Sequence, residues 1–221
     1  MTQVKICGVN SEAAFDAAAL GGADYIGFVF FERSPRFVTP ARAAELAARQ
    51  TSGPEQASRP RRVGLFVEPA AADIRETLGI VALDVLQIYG SSALCRQIRS
   101  EFKIKTWRAV GIGTAADLPM DAQGLDGFVV EARPPAGASR PGGNALAMDW
   151  GLLTGWQAPS PWLLGGGLNP ANVAEAIIRS GAPGVDVSSG VETAPGVKSP
   201  ALIAAFIATV RAQPAEAKKE H

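Results

Sequence analysis

The run VKICGV at residues 4–9 sets a thiol, Cys7, two residues after a lysine, Lys5, and directly before Gly8. Side chains alternate across an extended chain, so Lys5 and Cys7 point the same way. A thiol at the end of a strand can act as a base or a nucleophile, and a free cysteine is equally a small apolar side chain suited to burial. A lysine among apolar neighbours needs an opposite charge. Asp186, in GVDVSSGVE at 184–192, can supply it, either as a structural ion pair or as one that orients a site. Glu131 closes the apolar run DGFVVE at 126–131, on the same face as Val129. A carboxyl there is a general acid if its surroundings raise its pKa. Asp126, at the other end of that run, suits a cap or the surface, and Cys95, inside an amphipathic segment, suits packing.

Two segments have the composition of an anion cradle. LLGGGLNPANV at 163–173 and GVDVSSGVE both pass from an apolar stretch through small residues toward a helix. Glycines let backbone N–H groups approach a phosphate, and a helix start adds partial positive charge. Arg36, in ERSPRF, could grip a carboxylate with its forked donors or lie solvated on the surface. The single histidine is the last residue, His221, which removes histidine bases, triads and histidine-ligated metals from consideration.

These residues need a frame to bring them together. Short apolar runs at 3–7, 24–30, 62–67, 84–88, 104–110, 126–131, 161–165 and 184–188 read as strands. They alternate with helical segments near 11–20, 40–50, 70–78, 92–101, 114–119, 149–155, 170–180 and 199–212. Ser11, Thr39-Pro40 and Asn169-Pro170 mark helix starts, and Gly21, Gly79 and Gly181 mark stops. Eight βα units imply an α/β fold, a (β/α)8 TIM barrel of eight parallel strands, with a doubly wound open sheet as the alternative. Its sites lie at the carboxyl ends of strands, where Cys7, Arg36, Glu131 and both glycine loops fall. One barrel domain is expected over 1–212, with loops at 51–61 and 132–145 and a flexible tail over 213–221.

The 221 residues are 47% hydrophobic and 19% charged, enough apolar surface for one large core. The 21 basic and 21 acidic residues cancel, which argues against nucleic acid or an anionic membrane as partner. With no long apolar run and no signal-peptide order at the N-terminus, a cytoplasmic location is expected. Two cysteines make no disulfide framework. The pattern leaves monomer or homodimer undecided.

KICG at 5–8, GADYIGFVFFERSPRFV at 22–38, VGLFVE at 63–68, LDVLQIYG at 83–90, LLGGGLNPANVAEAI at 163–177 and VDVSSGVETAPGVKSP at 185–200 together resemble the phosphoribosylanthranilate isomerases of tryptophan biosynthesis, over roughly residues 3–210. The resemblance implies an Amadori rearrangement of a small phosphorylated sugar amine, with no metal or cofactor. It implies that Glu131 protonates the ribose ring oxygen and Cys7 removes the C2 proton. Arg36 would bind the anthranilate carboxylate, and Gly166, Gly167, Ser189 and Gly190 the phosphate. Three segments depart from the family pattern: VVE stands where LLD is usual, GGNALAMDW at 142–150 where GGTGKTFDW is usual, and IYG, with Tyr89, where LHG is usual. A different phosphorylated sugar amine as substrate, or binding of a phospho-ligand without catalysis, are the alternatives.

Overall fold

The computed structural model describes residues 1–49, 59–134 and 148–213. Most of the two expected loops, most of the GGNALAMDW segment and the tail from 214 onward lie outside the described residues. Eight parallel strands close into a barrel in chain order: β1 (Gln3–Cys7), β2 (Tyr25–Val29), β3 (Arg61–Val67), β4 (Val85–Tyr89), β5 (Lys105–Ile112), β6 (Gly127–Ala132), β7 (Trp162–Leu164) and β8 (Gly184–Val187). Closure of β8 onto β1 rules out the open sheet.

Among the described residues six α-helices surround the sheet: α1 (Glu12–Leu20), α2 (Pro40–Ala47), α3 (Ala71–Ile80), α4 (Ser92–Phe102), α5 (Val173–Ser180) and α6 (Pro200–Arg211). The Ser11 and Thr39 side chains cap α1 and α2 as their sequence positions imply. Four expectations are corrected. The fifth and sixth helices are single 3-10 turns, Ala115–Asp117 and Trp150–Leu153. Asp117 folds back to accept from the Gly113 and Thr114 N–H groups, and Pro119 follows at once, so the first cannot grow. Gly79 lies within α3 and does not end it. The seventh helix starts at Val173, later than expected, because the Asn169 side chain accepts from Ala171 and Asn172 N–H and turns Pro170 into a preceding loop. A short hairpin, β9 (Glu192–Ala194) with β10 (Val197–Lys198), separates β8 from α6.

The strand registers sort the inward side chains into layers drawn alternately from odd and even strands, as a tilted barrel requires. Climbing two residues at every second strand places Lys5, Val63, Trp107 and Leu163 in one layer and Gly27, Gln87, Val129 and Asp186 in the next. Above them come Cys7, Leu65, Ala109 and Gly165, and then Val29, Tyr89, Glu131 and Ser188 at the mouth. The lower interior is an apolar plug that includes Tyr25, Val63, Val85, Trp107, Val129 and Leu163. Outward residues such as Ile6, Phe28, Leu86 and Phe128 pack under the helices. Arg211 of α6 pins the chain ends together, donating to the Thr2 and Gly22 carbonyls and to Asp24.

Candidate active site

The top of the barrel opens into a pocket with about 660 Å³ of empty space including its mouth, lined by Cys7, Arg36, Tyr89, Glu131, Asp186 and both glycine loops among others. The strand ends bring together the candidates named for the site except Lys5, which lies two layers beneath Cys7, and Gly190, which does not line the pocket.

Lys5 is fully buried and its Nζ donates to Asp186 Oδ1 at 2.9 Å. Facing registers on β1 and β8 create this pair, and without it a buried ammonium would be destabilising by several kcal/mol. Burial works to lower the Lys5 pKa, but Asp186 and Cys7 outweigh it and hold the group above the usual lysine value. Gly27 supplies the space. A β-carbon there would sit 3.1 Å from Cys7 Sγ and 3.3 Å from Lys5 Nζ. Cys7 itself is buried, and that burial lifts its thiol above the ordinary range against the pull of Lys5, with Asp186 adding to the rise and Lys198 opposing it.

Glu131 is 6% exposed, and burial raises its pKa to about 7. The Tyr89 hydroxyl opposes that rise, Asp186 reinforces it and Lys5 opposes it. A carboxylic acid that titrates near neutrality is matched to proton donation at physiological pH. Gly165 keeps the wall between Glu131 and Asp186 free of side chain, since a β-carbon there would touch the Cβ atoms of both.

Arg36 is buried and forms a fork onto Glu192, with Nε to Oε1 at 2.7 Å and Nη2 to Oε2 at 2.9 Å. Lys198 Nζ adds a 2.7 Å contact to Glu192 and donates to the Ser188 carbonyl. Burial favours protonated Glu192, but Arg36 and Lys198 keep its pKa below the usual value. Among the described residues Arg36 Nη1 has no partner, so the clamp fixes the guanidinium and leaves donors toward the pocket. Gly8, at φ +74°, gives the stem its bed, for a β-carbon there would lie 2.7 Å from Arg36 Cδ. Glu192 and Lys198 were not singled out from the sequence. The only signal was a charge at each end of the hairpin that follows DVSSG.

In the seventh unit Gly166 and Gly167 both take positive φ, 82° and 64°, which turns that loop over the barrel. Asn172 Nδ2 holds the Gly167 carbonyl at 3.0 Å. Ser188 and Ser189 face the same space from the eighth unit. The loops touch at Gly190, where a β-carbon would come 1.8 Å from the Leu168 carbonyl oxygen. Backbone meets backbone there, so Gly190→Ala should be destabilising by about 3 kcal/mol and lower the melting temperature by several degrees. An unchanged melting curve would show that the loops do not need this contact.

A closed barrel with ionisable groups gathered over two glycine loops puts the chain among the (β/α)8-barrel enzymes that act on small phosphorylated substrates. The chain belongs to the N-(5'-phosphoribosyl)anthranilate isomerase family, whose model matches residues 4–209. The N-(5'-phosphoribosyl)anthranilate isomerase of Acidiphilium cryptum is 53% identical, over 96% of this chain and all of the relative. That of Rhodospirillum rubrum is 50% identical over 95% and 98%. Among solved structures, the enzyme from Thermotoga maritima superposes with TM-score 0.77 at 30% identity, covering 96% of this chain and 100% of the other. A phosphoribosyl anthranilate isomerase in complex with reduced 1-(O-carboxyphenylamino)-1-deoxyribulose 5-phosphate does so with TM-score 0.76 at 29% identity, over 96% and 100%.

Proposed function

We propose that the protein isomerises N-(5-phosphoribosyl)anthranilate to 1-(2-carboxyphenylamino)-1-deoxyribulose 5-phosphate, with Glu131 as general acid and Cys7 as general base. Protonated Glu131 gives its proton to the ribose ring oxygen as the ring C–O bond breaks, and the amine nitrogen becomes the Schiff base. The Cys7 thiolate takes the C2 proton, and the electron pair flows to the nitrogen to give an enolamine. Return of a proton to C1 and loss of one from the C2 hydroxyl complete the ketone, with no net gain or loss of atoms or electrons. The carrying observation is that a near-neutral carboxyl and a lysine-flanked thiol share one pocket.

The substrate's phosphate fits the cradle of Gly166, Gly167 and Ser189, with Gly190 holding the loop in place. Its anthranilate carboxylate fits the unpaired side of Arg36. Lys5 and Asp186 orient the base from below. A single barrel unit in the cytoplasm suits such chemistry, and among the described residues no helix is long and apolar enough to cross a membrane.

Expression in a tryptophan auxotroph lacking this step should restore growth, and the Cys7→Ser gene should not; failure of the soluble wild type would refute the assignment. Arg36→Lys keeps the charge but loses the fork that Glu192 holds, so KM should rise about tenfold or more with a smaller change in kcat. Steady-state kinetics check this, and an unchanged KM would remove Arg36 from substrate binding.

A further inference from the structure

Tyr89 and Glu131 occupy the same layer at the barrel mouth, on β4 and β6, with β5 between them. On that strand the inward positions at this height are Ala109 and Gly111, which leave the two side chains open to each other. Both line the pocket. Glu131 Oε1 is buried and has no hydrogen-bond partner among the described residues. A buried carboxyl oxygen without a donor is destabilising, so the nearest donor decides the orientation of the carboxyl. Tyr89 brings a phenol hydroxyl to the same layer and the same pocket as that carboxyl. The other charged or titratable groups around it are Lys5 and Cys7 from β1 and Asp186 from β8, and the first and last of these are already tied to one another.

We propose that Tyr89 is a positioning residue for the general acid: its hydroxyl holds one oxygen of the Glu131 carboxyl and so aims the other at the substrate's ring oxygen. The segments IYG and VVE lie far apart in the chain, and the barrel brings both to one layer. A glutamate has one more rotatable bond than an aspartate, and a fixed donor at its tip removes that freedom. The donor also stabilises the carboxylate, which keeps the acid from titrating higher still.

The inference rests on the isomerase assignment, and the two can fail separately. If the wild type does not turn over N-(5-phosphoribosyl)anthranilate, the assignment fails. If it does, Tyr89→Phe decides the inference. The variant should lose on the order of ten- to a hundredfold in kcat with KM little changed, and the acid-side inflection of its pH profile should move upward from about 7. Added to Glu131→Gln, it should cause almost no further loss, because the group it positions is gone. Tyr89→His keeps a donor and should retain most of the activity; it carries the test if the phenylalanine variant does not fold. An inflection that stays in place in Tyr89→Phe, full additivity with Glu131→Gln, or a histidine variant as impaired as a Glu131→Gln enzyme would each overturn the proposal.

Discussion

Replacing Cys7 by serine should cost on the order of a hundred- to ten-thousandfold in kcat, with the fold and KM close to those of the wild type. The thiol stands above Lys5 Nζ, and the space left by Gly27 lets the two approach. A thiolate there is stabilised by the ammonium, although burial keeps it a minority at neutral pH. A serine hydroxyl is a far weaker acid, so no useful alkoxide forms in its place. The substitution leaves no buried charge alone, because Lys5 remains paired with Asp186. Parallel kinetics and melting curves separate chemistry from stability. A Cys7→Ser enzyme with most of its kcat would remove the base.

Glu131→Gln should produce a loss of similar size, and the pH profile explains why. The acid titrates near 7 and the base above the ordinary thiol range, so the productive form, protonated carboxyl with thiolate, is a minority at every pH. Below about pH 7 the carboxyl is already protonated, and further acid only removes thiolate, so activity falls. Between the two pKa values each gain in thiolate is offset by a loss of protonated carboxyl, and the rate is flat. Above the thiol pKa only the loss of the acid remains, and activity falls again. The acid-side inflection near pH 7 therefore reports Glu131, and the alkaline one reports Cys7. In Glu131→Gln the residual rate should instead rise with pH until the thiol has ionised. A bell unchanged in Glu131→Gln would assign its limbs to other groups.

Much of this site could be read from single strands. Parity along KIC put Lys5 and Cys7 on one face, and closure of an eight-stranded barrel put Asp186 beside Lys5, as the 2.9 Å contact bears out. Glycine-rich runs announced both upper loops. What single strands cannot carry is contact between distant ones. Tyr89 and Glu131 are 42 positions apart in the chain, and their shared layer exists only through the shear of the barrel. The Glu192 clamp on Arg36 spans still more of the chain and sits in a hairpin too short to show a strand period. Helices were legible where a cap and an apolar stripe coincided, as at Ser11 and Thr39. At 114–119 and 149–155 the helical pattern yields single turns, for Asp117 reaches back to the Gly113 and Thr114 N–H groups and Asp149 reaches forward to that of Gly151, so each satisfies the backbone locally.

The most direct measurement is turnover of N-(5-phosphoribosyl)anthranilate by the purified protein, with the ketose product identified by chromatography and mass, run beside Cys7→Ser and Glu131→Gln. The wild type should convert it at on the order of one to a thousand turnovers per second, and each variant should lose at least about a hundredfold. A folded wild type that binds the substrate without converting it, or variants that convert it at the wild-type rate, would contradict the assignment.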